Sequence, residues 1–148
     1  MNTTTTDHFC TLFYSNYLSR GMAMQRSLMR ECPTAILYVL AMDASCRDVL
    51  AALAPERTEI LSFDDIASEA LRQAVSDRSL GETAWTAKPF LLWYLLEVRG
   101  LPRVTYVEAD AFFFNDPRIL LKEMRPDCSF LITEHAYTPR FDQTVVSG

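Results

Sequence analysis

The run Ala35-Ile36-Leu37-Tyr38-Val39-Leu40-Ala41-Met42 is apolar without interruption and closes on Asp43. It constrains the fold more than any other stretch. A strand with one wet face alternates apolar and polar residues, whereas a strand covered on both faces reads as a continuous apolar run, as in a parallel sheet flanked by helices. Parallel neighbours must be joined by long crossovers, usually helical, so the flanking segments should carry helical periodicity. From residue 17 to 31, Leu18, Met22 and Met29, with Cys32 just beyond, fall at helical spacings, and Pro33 forbids continuation. On the other side Ser45 can cap a helix through Leu53, which Pro55 stops.

The rest of the chain repeats this alternation. Residues 9–14 form a β-favouring run ended by Ser15-Asn16, residues 59–63 a shorter one, and residues 104–107 and 129–133 two more. A helix is expected from Asp64 or Asp65 to about Val75, then a polar stretch over 76–82. Thr86 is the expected cap of a helix over 87–99, with Pro89 in its first turn and Gly100 just past its end. Strands alternating with helices predict an α/β fold with a largely parallel, Rossmann-like sheet and helices on both faces. One domain is expected over 9–148, behind a polar tail at 1–8.

Bulk properties remove several functions. With 49% hydrophobic and 22% charged residues in 148, the chain can close one core and is not expected to be disordered. A net charge of −5 without a basic stripe excludes a nucleic-acid partner of the usual kind, which needs clustered Lys and Arg against phosphates. The Thr-rich start lacks the charged and apolar regions of a signal peptide, so a cytoplasmic location is expected. No apolar run reaches the length of a transmembrane helix, and any membrane association would be peripheral. Cys10, Cys32, Cys46 and Cys128 show no C-x-x-C pairing and read as reduced thiols.

Ligands of open parallel sheets bind beyond the carboxyl ends of the strands. Ser15-Asn16, Asp43, Asp64-Asp65 and Glu108-Ala109-Asp110 all fall at such ends. Taken singly, Asp43, Asp64 and Asp65 read as caps or turn residues. Glu108 and Asp110 flank one small residue directly after a strand, and an extended chain would turn both carboxylates into a shared space. Hard cations such as Mg2+ or Mn2+ take one or two carboxylates together with substrate phosphates, so Asp110 and Glu108 are the candidate metal ligands. Two acids so close in sequence do not suit a glycosidase pair, and Ser15 to Gly21 holds too little glycine for a nucleotidyltransferase phosphate loop.

The segment Tyr106-Val107-Glu108-Ala109-Asp110-Ala111-Phe112-Phe113-Phe114-Asn115-Asp116-Pro117 resembles the strand and D-x-D element of GT-A type nucleotide-diphospho-sugar transferases, usually Y-L-D-A-D, apolar residues and a D-P turn. Trp85-Thr86-Ala87-Lys88-Pro89-Phe90 is similar to the W-T-x-x-P helix opening of one bacterial branch. Leu131-Ile132-Thr133-Glu134-His135 and Tyr137-Thr138-Pro139 look like that branch's following strand and loop. The resemblance implies a glycosyltransferase, or its donor-binding portion, that moves a sugar from a nucleotide-diphospho-sugar to a saccharide or glycoconjugate acceptor in surface polysaccharide or glycoconjugate synthesis. It assigns Ser15, Asn16 and Tyr17 to the nucleotide, Asp43 to the base or ribose, Lys88 to the diphosphate or donor sugar, and Asp110 to Mn2+ or Mg2+. Glu108 departs from the usual Asp, with its carboxylate one methylene further out. Members of the family continue beyond the point matching Gly148, so the resemblance also implies an incomplete GT-A domain and leaves a non-catalytic nucleotide-sugar-binding domain as the alternative. His135 is not assigned to the metal, because the family's extra His comes from a later segment.

Overall fold

A computed structural model describes residues 6–125 and 127–132. The chain divides into two units, Met1–Pro117 and Arg118–Gly148. In the first, strands β1 (Asp7–Phe13), β2 (Ala35–Ala41), β3 (Thr58–Ser62) and β4 (Thr105–Tyr106) form a parallel sheet of order β3-β2-β1-β4. The intervening helices are α1 (Leu18–Glu31), α2 (Ala44–Leu53), α3 (Phe63–Ile66), α4 (Glu69–Val75) and α5 (Leu80–Trp93). In the second unit the described secondary structure is one helical turn, α6 (Arg118–Leu121).

The continuous apolar run lies where its composition demands, in β2, hydrogen-bonded to β1 on one side and β3 on the other. Six of its seven strand residues are buried. Each fully buried Leu or Val contributes about 1.5–3 kcal/mol relative to exposure, so this strand and the equally buried β1 form the centre of the core. Side chains alternate across a sheet. Cys10, Leu12, Tyr38, Leu40 and Leu61 face Ile66, Leu71, Ala87, Leu91 and Leu95, supplied by α3, α4, α5 and the turn after it. Phe9, Thr11, Phe13, Leu37 and Val39 occupy the alternate positions and are also buried. There α1 approaches so closely that a Cβ on Gly21 would stand 2.5 Å from the Phe13 ring. Only glycine leaves both in place.

Several elements differ from the sequence expectation, each for a local reason. β1 starts at Asp7, whose buried carboxylate accepts from Arg103 Nη2 at 3.1 Å, so the strand extends into the expected tail. The helix expected from Asp64 or Asp65 to Val75 is two helices. A capping box between Ser62 and Asp65 opens α3, the extended Ala67 ends it, and Ser68 caps α4 by accepting from the Leu71 N–H. The expected polar connection over 76–82 is cut short because Ser79 and Glu82 form a second capping box and α5 begins at Leu80. Thr86 is therefore inside the helix, its hydroxyl donating to the Glu82 carbonyl at 2.7 Å. Pro89 is interior rather than in the first turn, and cannot donate to the Trp85 carbonyl. α5 widens into a π turn over Tyr94–Val98 and ends at Gly100, which takes the left-handed φ of 66° expected of a helix-terminating glycine. Ser129 to Ile132 are not strand, since an apolar run becomes a strand only where a neighbour completes its ladder. Thr133, His135 and Tyr137 to Pro139 lie outside the described residues.

Candidate functional site

The strand order decides where a ligand can enter. From β1 the chain steps outward to β2 and β3, then returns to place β4 on the opposite side of β1. Crossovers diverge at that reversal, leaving a crevice at the carboxyl ends of β1 and β4. A cleft of about 420 Å3 lies there. Its lining includes Leu12, Phe13 and Tyr14 from the end of β1, the 3-10 turn Ser15–Tyr17, Asp43 after β2, the early turns of α5, and Glu108, Ala109 and Asp110 after β4. Ser15, Asn16, Tyr17, Asp43, Lys88, Glu108 and Asp110, the residues singled out in the sequence, thus share one cleft.

Asp43 does local work in this rim. Its Oδ1 accepts from the Cys46 N–H at 2.7 Å, capping α2, and its Oδ2 accepts from the Ser15 N–H at 2.8 Å, tying the β1 loop to the β2 end. The backbone N–H of Ser15, followed by those on α2, holds its carboxyl below the usual carboxylate range against an opposing desolvation. The capping role read for this residue is thus present, inside the cleft. Tyr14 adds a second tie, its hydroxyl donating to the Leu80 carbonyl at 3.0 Å and so linking the end of β1 to the start of α5.

The acidic segment is built differently. The ladder continues one step past β4, with the Val107 N–H donating to Cys10 C=O at 2.9 Å. The chain then turns, Ala111 N–H donating to Glu108 C=O at 3.1 Å, with Ala109 buried and both acids exposed. The extended conformation considered for this triplet is therefore replaced by a turn, because Ala109 is drawn into the core. Beyond it Phe113 is pinned to α1: its N–H donates to Ser27 Oγ at 3.0 Å, its carbonyl accepts from Arg30 Nη2 at 3.2 Å, and its ring meets Phe9 edge-on. Glu108 has both oxygens engaged, one with Lys88 Nζ and the other accepting from Tyr106 OH at 3.1 Å. The Lys88 ammonium also stands 5.1 Å from the centre of the Tyr106 ring. Burial, then the neighbouring Glu108 charge, raises the Tyr106 phenol well above its ordinary pKa, so it stays a donor. Asp110 has no hydrogen bond or ion pair with another described side chain.

The donor set bears on a metal. Among the described residues no three His, Cys, Asp or Glu side chains converge. Asp110 offers an open carboxylate, and Glu108 beside it could join with its remaining lone pairs or by releasing Lys88. Such a site fits a hard cation that draws most of its ligands from substrate phosphates and water, not an all-protein cage.

No family model matches the sequence. Two proteins of Bacillus subtilis (strain 168) are similar to it, the uncharacterized proteins YfnD and YfnF. YfnD is 29% identical over 137 residues, 92% of this chain and 44% of its own length. YfnF is 30% identical over 129 residues, 86% of this chain and 42% of its own length. The chain therefore spans less than half of these relatives. Among solved structures, the apo WbbM bifunctional glycosyltransferase superposes with a TM-score of 0.51 over 82% of this chain and 22% of its own, at 17% identity. This chain shares its fold with part of a glycosyltransferase. The α/β class expected from the sequence is thereby shown, and the cleft lies where that architecture leaves a crevice.

Apart from Lys88, the sequence alone missed the α5 side of the cleft. Leu80, Gly81 and Ala84 line it, and the S-x-x-E spacing of Ser79 and Glu82 was the available signal that a helix begins there. A second groove of about 480 Å3, lined by Ser68, Pro89, Phe90 and Trp93, carries no titratable group. No helix of the described residues is long and apolar enough to cross a membrane.

Proposed function

We propose that the cleft binds a nucleotide-diphospho-sugar and that the chain is the donor-binding part of a glycosyltransferase serving surface polysaccharide or glycoconjugate synthesis. The observation that carries this reading is the gathering of one cation and three acidic positions around the crevice between β1 and β4. In it, Ser15, Asn16 and Tyr17 meet the nucleotide, Asp43 fixes the loop that carries them, and Lys88 meets the diphosphate. Asp110 would hold Mn2+ or Mg2+ against the phosphates, with Glu108 beside it. A bound cation would supply charge neutralisation to the diphosphate leaving group. The residues of this chain position the donor, and a saccharide or glycoconjugate is the acceptor class.

A second reading, a non-catalytic nucleotide-sugar-binding domain, draws on the ion pair between Glu108 and Lys88, which occupies two of the groups a transferase would use. Calorimetric titration with a panel of nucleoside diphosphates, in Mn2+ and in chelator, tests both. Metal-dependent binding supports the transferase reading, and metal-independent binding the second. Absence of binding under either condition would exclude the nucleotide-sugar site.

A further inference from the structure

The charged groups leave one wall of the cleft unexplained. Leu80, Gly81, Ala84, Trp85 and Lys88 all line it from α5. Their spacing of i, i+1, i+4, i+5 and i+8 places them along one face of the helix. Four are apolar or small, and the fifth is the cation. Leu80 is 70% exposed and Trp85 69% exposed, so two large apolar side chains stand in a concavity with little packed against them. Gly81 sits between them in sequence, and an added Cβ there meets nothing within 4 Å. The space along this wall is open.

Large apolar surface lining a concave site is characteristic of ligand contact, because covering it removes that surface from water while a few polar groups fix orientation. Aromatic faces suit flat or C–H-bearing rings. Lys88 follows Trp85 by three residues, which sets their Cβ atoms about 5–6 Å apart on the helix surface. A ring and a phosphate of the same ligand could therefore meet the two residues together. We propose that the α5 wall is a ring-stacking subsite, in which Trp85 covers the ring of a phosphate-bearing ligand whose phosphate is held by Lys88. This rests on the nucleotide-sugar reading and adds to it the residue that separates ring-bearing ligands from bare phosphates. Two sources supply that chemistry, the nucleobase and the pyranose.

Calorimetry on the full chain with nucleoside diphosphates, glucose 1-phosphate and inorganic pyrophosphate tests the assignment. Trp85→Ala is expected to weaken ring-bearing ligands roughly 5–150-fold, the range of aromatic stacking on a base, and to leave pyrophosphate unchanged. The arm that loses affinity, nucleoside diphosphate or sugar phosphate, identifies the stacked ring. Gly81→Leu fills the open space and should block the same ligands, so the test survives if either variant folds poorly. Trp93→Ala, in the other groove, should change nothing. The assignment is overturned if Trp85→Ala and Gly81→Leu leave ring-bearing ligands unaffected, or weaken pyrophosphate equally. It is also overturned if wild type binds pyrophosphate as tightly as the ring-bearing ligands, in which case the phosphate site survives without it. No binding of any nucleotide would remove the nucleotide-sugar reading, and no binding of glucose 1-phosphate either would remove the stacking assignment with it.

Discussion

Asp43 and Asp110 are carboxylates at the ends of parallel strands in the same cleft, yet their surroundings divide their work. Asp43 accepts two backbone N–H groups, one from each side of the rim, and these bonds would form whether or not a ligand were present. Asp110 follows a turn fixed by the buried Ala109 and has no bond to another described side chain. An acid consumed by the backbone builds the site. An acid left open is available to act on what enters it. The sequence already set the two apart, Asp43 as a cap and Asp110 as one of an acid pair, and their partners in the structure are where the difference can be tested.

The largest expected effect falls on the open acid. Asp110→Ala should remove the Mn2+-dependent part of nucleoside diphosphate affinity. The loss should be at least the roughly 10–100-fold that even an outer-shell partner of a metal costs, while the melting temperature stays close to wild type because the side chain supports nothing. Titrations in Mn2+ and in chelator measure it. Equal affinity of wild type and variant in Mn2+ would dissolve the contrast, leaving Asp110 a solvated turn residue.

Asp43 should respond in the opposite sense. Asp43→Ala removes a helix cap, typically about 0.5–2 kcal/mol, together with the tie to Ser15. Chemical denaturation should show that loss with no metal dependence. Acid titration sharpens the point. The folded carboxyl is depressed by the Ser15 and Cys46 N–H groups, so its stabilisation is fully present above the ordinary unfolded value of about 3.9 and disappears as pH falls through the lower folded value. Asp43→Asn should therefore flatten the acid limb of the stability curve relative to wild type. Parallel acid limbs would show that these bonds do not hold the rim.

What the sequence disclosed follows the same division between residues that answer to their own neighbours and residues that answer to distant ones. β2 was legible because burial on both faces leaves an unbroken apolar run, and the carboxylates at strand ends were legible because parallel topology brings those ends together. The break at Ser68 was obscured because a lone capping serine marks it, and the start of α5 at Leu80, although the S-x-x-E spacing of Ser79 and Glu82 marks it, because polar residues near a helix start also suit a loop. Partners could not be read at all. Nothing near Glu108 in sequence announces that Lys88, twenty positions earlier, engages its carboxylate, and nothing near Phe113 announces Ser27. Such pairings exist only after β4 and α5 have packed on the sheet.

The smallest effect is expected at Glu108, and it bears most directly on how the open and consumed acids differ. Glu108 is intermediate: exposed like Asp110, but engaged by Lys88 and Tyr106. An exposed ion pair contributes about 0–1 kcal/mol, so Glu108→Gln should shift stability by no more than that. Its consequence for anions should run the other way. The carboxylate competes with a phosphate for Lys88, and neutralising it releases the ammonium, so pyrophosphate affinity in chelator should rise about two- to fivefold, the worth of one exposed pair. In Mn2+ the outcome separates two roles for this side chain. If Asp110 alone anchors the cation, the gain persists with metal present. If Glu108 leaves Lys88 to share the cation, the variant loses a charged ligand and Mn2+-dependent affinity falls below wild type. A fall in chelator as well as in Mn2+ would contradict both roles, since removing a competing negative charge cannot by itself weaken anion binding.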